Sequence, residues 1–402
     1  MPELLQNILI YGGSFLLVLG VVVFVHEFGH FQVGRWCGIA VKSFSIGMGS
    51  EWFGWTDKHG TRWKVSKIPI GGFVSWVDDT DGASVLPASE ESQQLSKEEA
   101  RRLGHFRAMP VGRRAAAVAA GPLANFVFSI FAFALVAFAA GQDVTDYSSI
   151  PARVGGVING GAAAEAGLQA GEEITAVDGA PVAHWPGFQE TIAANPGRPL
   201  ALTLERDGAT RVVTVTPRSV ERPDENGNLV RVGAIGVQVG VRPEDRVIAP
   251  VGPGEALLVG LQNTWFLISR TVEYIGDVFT GRASGSDIAG PVGILSQSGQ
   301  VTSAALDTSN QTFLEAAGRL TLALLGWAAI LSVAVGFANL LPIPILDGGH
   351  LVFYAIEAVR GGKPLPPVAQ EWAFRAGVAV LFSLFLFATW NDITRLIPGA
   401  QG

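Results

Sequence analysis

Charged residues drop out of the chain in four long apolar blocks, at 8–25, 115–141, 320–346 and 376–390. A helix crosses the hydrocarbon of a bilayer with about 20 apolar residues, so the first three blocks are long enough to span. The fourth needs Trp372 to Arg375 to complete a crossing, with Arg375 reaching the interface along its apolar stem. The pattern predicts an α-helical polytopic membrane protein with about four transmembrane helices. The opening "MPELLQN" lacks a basic lead and no small-residue cleavage site follows, so the first block is expected to persist as a helix rather than act as a signal peptide.

The stretches between the blocks have other periods. "GIAVKSFSIGMGSEWFGW" and "GTRWKVSKIPIGGFVSW" are β-type in composition and broken by glycine, which predicts hairpins behind the first helix. "DDTDGASVLPASEESQQ" reads as a polar loop, and "LSKEEARRLGHF" as a short helix opened by a Ser96–Glu99 capping box. In 142–245, "RVGGVI", "EEITAVDG", "LALTLERDG" and "TRVVTVTP" read as strands and "AAAEAGL" as a small helix, enough for one α+β domain. The following apolar stretch carries Glu255, Arg270, Glu273 and Asp277, which predicts an amphipathic helix at the membrane surface rather than a fifth span. The expected division is 1–33, first span; 34–112, hairpins, loop and short helix; 113–141, second span; 142–245, the α+β domain; 246–312, the interfacial region; 313–350, third span; and 351–402, a loop and the fourth span.

Composition agrees with the membrane reading, since 49% of residues are hydrophobic and only 16% charged, against about a quarter charged in soluble proteins. Charge also predicts orientation. Residues 34–114 hold twelve Lys or Arg against nine Asp or Glu, whereas 142–318 has eleven Arg, no Lys and an acidic excess. The positive-inside rule then puts 34–114 in the cytoplasm, with both termini and the α+β domain outside. A net charge of −7 gives no sign of nucleic-acid binding, and Cys37, the only cysteine, excludes an intramolecular disulfide.

The chemistry stands at the ends of the apolar blocks. "GVVVFVHEFGHFQVG" contains His-Glu-x-x-His; on a helix His26 and His30 share a face and can reach one metal ion, with Glu27 beside them to take a proton from water. Ionisable groups next to hydrocarbon are expensive and point to function. A catalytic zinc needs a third protein ligand. "NLLPIPILDGGH" supplies Asp347, which closes the third block at the same membrane depth as the histidines, near the cytoplasmic face; His350 competes for the role. Pro342 and Pro344 must break the helix there, which only a protein-lined or wet cavity tolerates. In the second block, "AAGPLANF" offers Gly121 for close helix approach, Pro122 for a kink and the amide of Asn125, bonding between helices or shaping the site.

These three motifs, in this order, resemble the site-2 protease family of zinc metalloproteases that cut peptide bonds inside the membrane, and within it the bacterial regulator-of-sigma-E protease type. The resemblance implies one catalytic Zn2+ held by His26, His30 and Asp347, with Glu27 as general base and Asn339 positioning the scissile backbone or the oxyanion. It implies that "VKSFSIGMG" belongs to a membrane-associated hairpin that pairs with an unwound substrate, and that "RVGGVINGGAAAEAGLQAGEEITAVDGAPV" is the core of a single PDZ-like domain. The peptide-binding loop of that domain would be "GAIGVQV", with Gly233, Ile235 and Gly236. Implied partners are single-pass transmembrane substrates, such as anti-sigma factors or remnant signal peptides, peptide C-termini at the PDZ-like domain, and the lipid of a bacterial inner membrane.

Two other readings compete. A membrane scaffold could carry a peptide-binding domain and a structural metal, but structural zinc sites are four-coordinate and rich in cysteine, and this chain has only Cys37. A transporter would also break helices with proline, but no inverted repeat is present and His-Glu-x-x-His has no role in one.

Overall fold

The computed structural model describes residues 6–78, 95–158, 160–223, 229–283, 285, 288–307 and 312–396. The expected polar loop, beyond Asp78, lies outside them. The chain divides into two compact units, one of residues 1–140 with 251–402 and the other of 141–250.

In the first unit a π-helical turn, Ile8–Gly13, leads into α1, Ser14–Trp36. Strands β1, Val41–Thr56, and β2, Arg62–Trp76, follow. Their register is double: Ser43–Ile46 pairs with Gly72–Ser75 and also with Arg62–Val65. The stretch 43–46 therefore has neighbours on both sides, and among the described residues 72–76 is paired on one side only. Helix α2, Lys97–Arg102, opens with the expected Ser96–Glu99 capping box. Helix α3, Val111–Ala140, continues through Pro122.

The second unit holds β3, Gln142–Asp143; β4, Val154–Val157; α4, Ala162–Glu165; β5, Glu173–Val177; β6, Ala180–Pro181; and α5, Trp185–Ala193. Then come β7, Leu200–Arg206; β8, Ala209–Val215; β9, Arg218–Pro223; β10, Leu229–Ala234; β11, Val237–Val239; and β12, Ile248–Ala249. Strands β6-β5-β7-β8 form the main sheet, β11 pairs with β4, and β12 pairs with β3 so that the two ends of the unit meet. Asp178-Gly179 and Asp207-Gly208 have positive φ, as tight hairpin turns require. On β7 alternate residues Leu200, Leu202 and Leu204 are buried, and they meet Ile174, Phe188 and Val215 in one core. Helix α5 and the β9–β10 hairpin were not legible as elements in the sequence.

The first unit resumes with α6, Pro253–Phe279, and α7, Pro291–Leu306, so the stretch expected as one interfacial region is two helices. Helix α8 is Phe313–Leu340, α9 is Asp347–Val359 and α10 is Pro367–Leu396. Pro342 and Pro344 do break the chain here. Asp347, however, does not close the third span: α8 ends at Leu340, and Asp347 begins α9, which occupies part of the expected loop. The cause is local, because proline has no N–H for the helix ladder and excludes the helical conformation before it.

By length and composition four helices could cross a membrane: Ile8–Trp36, Val111–Ala140, Phe313–Leu340 and Pro367–Thr394. Their packing suits lipid. On α3 the buried residues are small or polar, Ala117, Ala120, Gly121, Asn125 and Ser129. Large apolar residues, Leu123, Val127, Phe131, Leu135 and Phe138, face outward. Small interfaces with interhelical hydrogen bonds are how helices associate where the solvent is apolar. One such bond runs from the Ser129 hydroxyl to the Ala329 carbonyl of α8, 2.7 Å.

Candidate metal centre

Three of the predicted side chains converge. His26 and His30 lie one turn apart on α1, both buried, with their Nε2 atoms 3.2 Å apart. From the far side, Asp347 Oδ2 approaches to 3.1 Å from His26 Nε2 and 3.4 Å from His30 Nε2. Zinc–nitrogen bonds of about 2.0–2.1 Å place neighbouring ligand atoms of a tetrahedron about 3.3 Å apart, which matches this triangle. Although close to two nitrogens, the buried Asp347 Oδ2 is not aligned for a hydrogen bond with either. The three groups are directed at a shared point rather than at one another, and they fit a metal ion. Among the described residues this is the group of His, Cys, Asp or Glu able to hold one; His350 is not part of it.

The backbone makes room for these groups. A Cβ on Gly121 would lie 2.2 Å from His30 Nε2, so α3 can pass the ring only with glycine there. Gly348 and Gly349 do the same at the other face, where a Cβ would meet the carbonyl oxygens of Leu340 and Ile343, each at 2.3 Å. The "DGG" of the motif is thus explained: α9 starts folded back against the broken end of α8, and only glycine fits.

Each histidine is also held from behind by α3. His30 Nδ1 lies 2.9 Å from the Ala117 carbonyl oxygen and donates to it, leaving Nε2 as a bare lone pair. His26 Nδ1 lies 3.2 Å from the side-chain amide of Asn125. The Ala117 contact could not be read from sequence, because a carbonyl acceptor carries no residue signature.

The Glu27 side chain approaches the backbone of Val74, on the edge stretch of β2. It lines a cavity of about 360 Å³ together with His26, His30, Asp347, Asn339 and His350. Gly72, Phe73 and Val74 form another wall. Asn339 donates one amide N–H to the Val335 carbonyl, 3.0 Å, which leaves its second N–H and its side-chain oxygen to meet a ligand. Burial pushes the His350 imidazole down, which keeps it neutral.

The sequence of residues 14–384 matches the model of peptidase family M50. The chain belongs to that family. It is 41% identical over 383 residues to a candidate zinc metalloprotease of Agrobacterium fabrum, covering 95% of each chain. It is 38% identical over 390 residues to metalloprotease MmpA of Caulobacter vibrioides, again covering 95% of each. To the regulator of sigma-E protease RseP of Escherichia coli it is 31% identical across 95% of this chain and 98% of that one. The last alignment runs over 475 positions, more than the 402 residues present here, so the Escherichia coli protein has segments that this M50 peptidase lacks. The chain is a zinc metalloprotease of the site-2 protease type, and its His–His–Asp group has the donor chemistry that zinc requires.

Proposed function

We propose that this M50 peptidase is an intramembrane endopeptidase that cleaves transmembrane segments of single-pass proteins, with His26, His30 and Asp347 as its zinc ligands. The observation that carries this reading is the convergence of the three donors and Glu27 in one cavity built on helices apolar enough to cross a membrane. Zinc held by His26, His30 and Asp347 would supply Lewis acidity for the scissile carbonyl and for a water. The Glu27 carboxylate takes the proton of the attacking water and passes it to the leaving amine nitrogen. Asn339, with a second amide N–H and its oxygen both available, can position the scissile backbone or donate to the oxyanion.

A helix hides its carbonyls in hydrogen bonds, so the substrate must be extended before it reacts. Strand addition would do this. The edge favoured is 72–76 rather than the doubly paired 43–46, because it lines the cavity and has described partners on one side only. The basic excess of 34–114 supports a catalytic centre near the cytoplasmic face, with the 141–250 unit and both termini outside.

That unit is read as a single PDZ-like domain for C-terminal peptides or for size selection. Pairing of β11 with β4 and the positive φ of Gly236 suit its loop at 233–239. Ile235 serves the core, not a peptide, since its side chain is 3% exposed among Ala163, Phe188 and Ile192. Peptide recognition would fall to backbone N–H groups of the loop.

The test is cleavage of a single-pass substrate by purified protein in detergent, beside Glu27→Gln, with zinc quantified in both. The variant should keep its zinc and lose about 10²–10⁴-fold in rate, the usual worth of a general base. Loss of zinc from Glu27→Gln would remove Glu27 from the proposed role.

A further inference from the structure

Asn125 is fully buried in α3, in a segment apolar enough to be surrounded by lipid. Its backbone is held by two helices: its carbonyl oxygen accepts the hydroxyls of Ser129, 3.0 Å, and Ser332 of α8, 3.1 Å. Gly336 of α8 makes room for the side chain, where an added Cβ would lie 3.1 Å from Asn125 Cβ. So placed, the amide nitrogen Nδ2 sits 3.2 Å from His26 Nδ1, while the amide oxygen Oδ1 is buried with no hydrogen-bond partner.

This orientation conflicts with the chemistry of the centre. An amide N–H facing Nδ1 requires a lone pair on Nδ1, and a neutral imidazole then carries its proton on Nε2. Yet Nε2 is the atom of His26 that converges with His30 and Asp347. For Nε2 to hold a cation, Nδ1 must carry the proton and face an acceptor. Turning the carboxamide by 180° supplies one without moving any other atom, because the oxygen and nitrogen ends of an amide have the same shape.

We propose that Asn125 presents its carboxamide oxygen to His26 Nδ1–H, fixing the imidazole in the tautomer that leaves Nε2 free for zinc. Asn125 is thus a positioning residue, the side-chain counterpart of the Ala117 carbonyl at His30. The orphaned oxygen gains a donor. Nδ2 gives up its contact in exchange, and the trade favours the bond to a cation-bound imidazole, whose N–H is the more polarised donor. The inference rests on His26 being a zinc ligand.

The test uses full-length protein in detergent and measures zinc affinity by competition with a chromophoric chelator, together with the melting of the metal-free protein. Asn125→Leu keeps the branching of asparagine but has no acceptor and should weaken zinc binding about 10–100-fold, the usual effect of removing an outer partner of a ligand. Asn125→Asp keeps an acceptor and should bind zinc at least as well as the wild type. Equal loss in both variants, or no loss in Asn125→Leu, overturns the inference. So does a lower metal-free melting temperature for Asn125→Leu with unchanged zinc affinity, which would mark the residue as packing alone. Should Asn125→Leu not fold, Asn125→Ala carries the same comparison with space in place of bulk. His26→Ala separates the two layers. Wild-type zinc affinity in that variant sinks the ligand assignment itself, whereas lost zinc in His26→Ala with zinc retained in Asn125→Leu sinks only the role of Asn125.

Discussion

Gly121 and His30 are in such close contact that a methyl group on the glycine would stand 2.2 Å from the Nε2 atom that faces the metal site. Neither partner can give way easily, since α3 is pinned to α1 where a Cβ on Gly29 would lie 2.4 Å from the Ala120 carbonyl oxygen. Gly121→Ala should therefore swing the His30 ring away from Asp347 and cost at least tenfold in zinc affinity, in the range expected for disturbing the support of a ligand. Gly112→Ala, on the same helix but with open space around it, should bind zinc like the wild type. Equal affinities for the two variants would mean that the helices part without cost and that the close contact does not shape the site.

The ligand set gives the second prediction. Asp347 completes the triangle with the two histidines, and His350 lies on the cavity wall outside it. Asp347→Ala should leave two ligands and reduce zinc to well below one per chain after dialysis, while His350→Ala retains it. The reverse result would transfer the third position to His350 and require a rotated α9.

What the sequence made legible follows from how local each constraint is. His26, Glu27 and His30 are fixed by one helical turn, and the proline break before Asp347 by the missing N–H of two residues, so both could be read directly. The four apolar helices were legible because lipid imposes a long run of one residue class. The expectation that Asp347 ends a span failed because apolar composition continues through 341–346 although the backbone there is not helical. The contacts of Val74 with Glu27 and of Ala117 with His30 are backbone contacts between distant segments, and side-chain identity does not encode them. Helix α5 carries little signal in the sequence because Pro186 and Gly187, both weak helix formers, occupy its first turn, although proline suits that position.

The third prediction concerns the unit at 141–250. Pairing of Gln142 with Ala249 and of Asp143 with Ile248 brings its ends together, and its core is its own. Expressed alone, 142–250 should melt as one cooperative transition. Leu202→Ala, which empties a fully buried position, should lower its stability by about 2–5 kcal/mol. The complementary deletion, with a short Gly-Ser bridge from Ala140 to Val251, should bind zinc as the full chain does, since His26, His30 and Asp347 all lie in the other unit. Under the proposed selection role it should also cut a wider set of substrates. A deletion that binds zinc but cuts nothing would make the unit part of the catalytic apparatus.

The same isolated unit offers a pH test. Asp245 accepts a hydrogen bond from the Arg242 backbone N–H and another from the Arg153 guanidinium, 2.7 Å, and both hold its carboxyl below the usual carboxylate range. Asp143 is lowered by the hydroxyl and N–H of Thr145, and Asp146 by those of Ser148. A carboxyl whose pKa is lower folded than unfolded favours the folded state above its unfolded pKa of about 3.9, and that contribution fades as pH falls through the folded value. Melting of 142–250 should accordingly hold steady from neutral pH to about 5 and then fall with further acidification. Asp245→Asn should melt lower than the parent at pH 7, because it leaves the buried Arg153 with a weaker partner, and the gap should narrow as pH falls below the ordinary carboxylate value of about 3.9 and the parent's carboxyl is protonated. A gap that stays constant down to pH 2 would show that asparagine disturbs packing rather than charge, and that the Asp245–Arg153 pair does not stabilise the unit electrostatically.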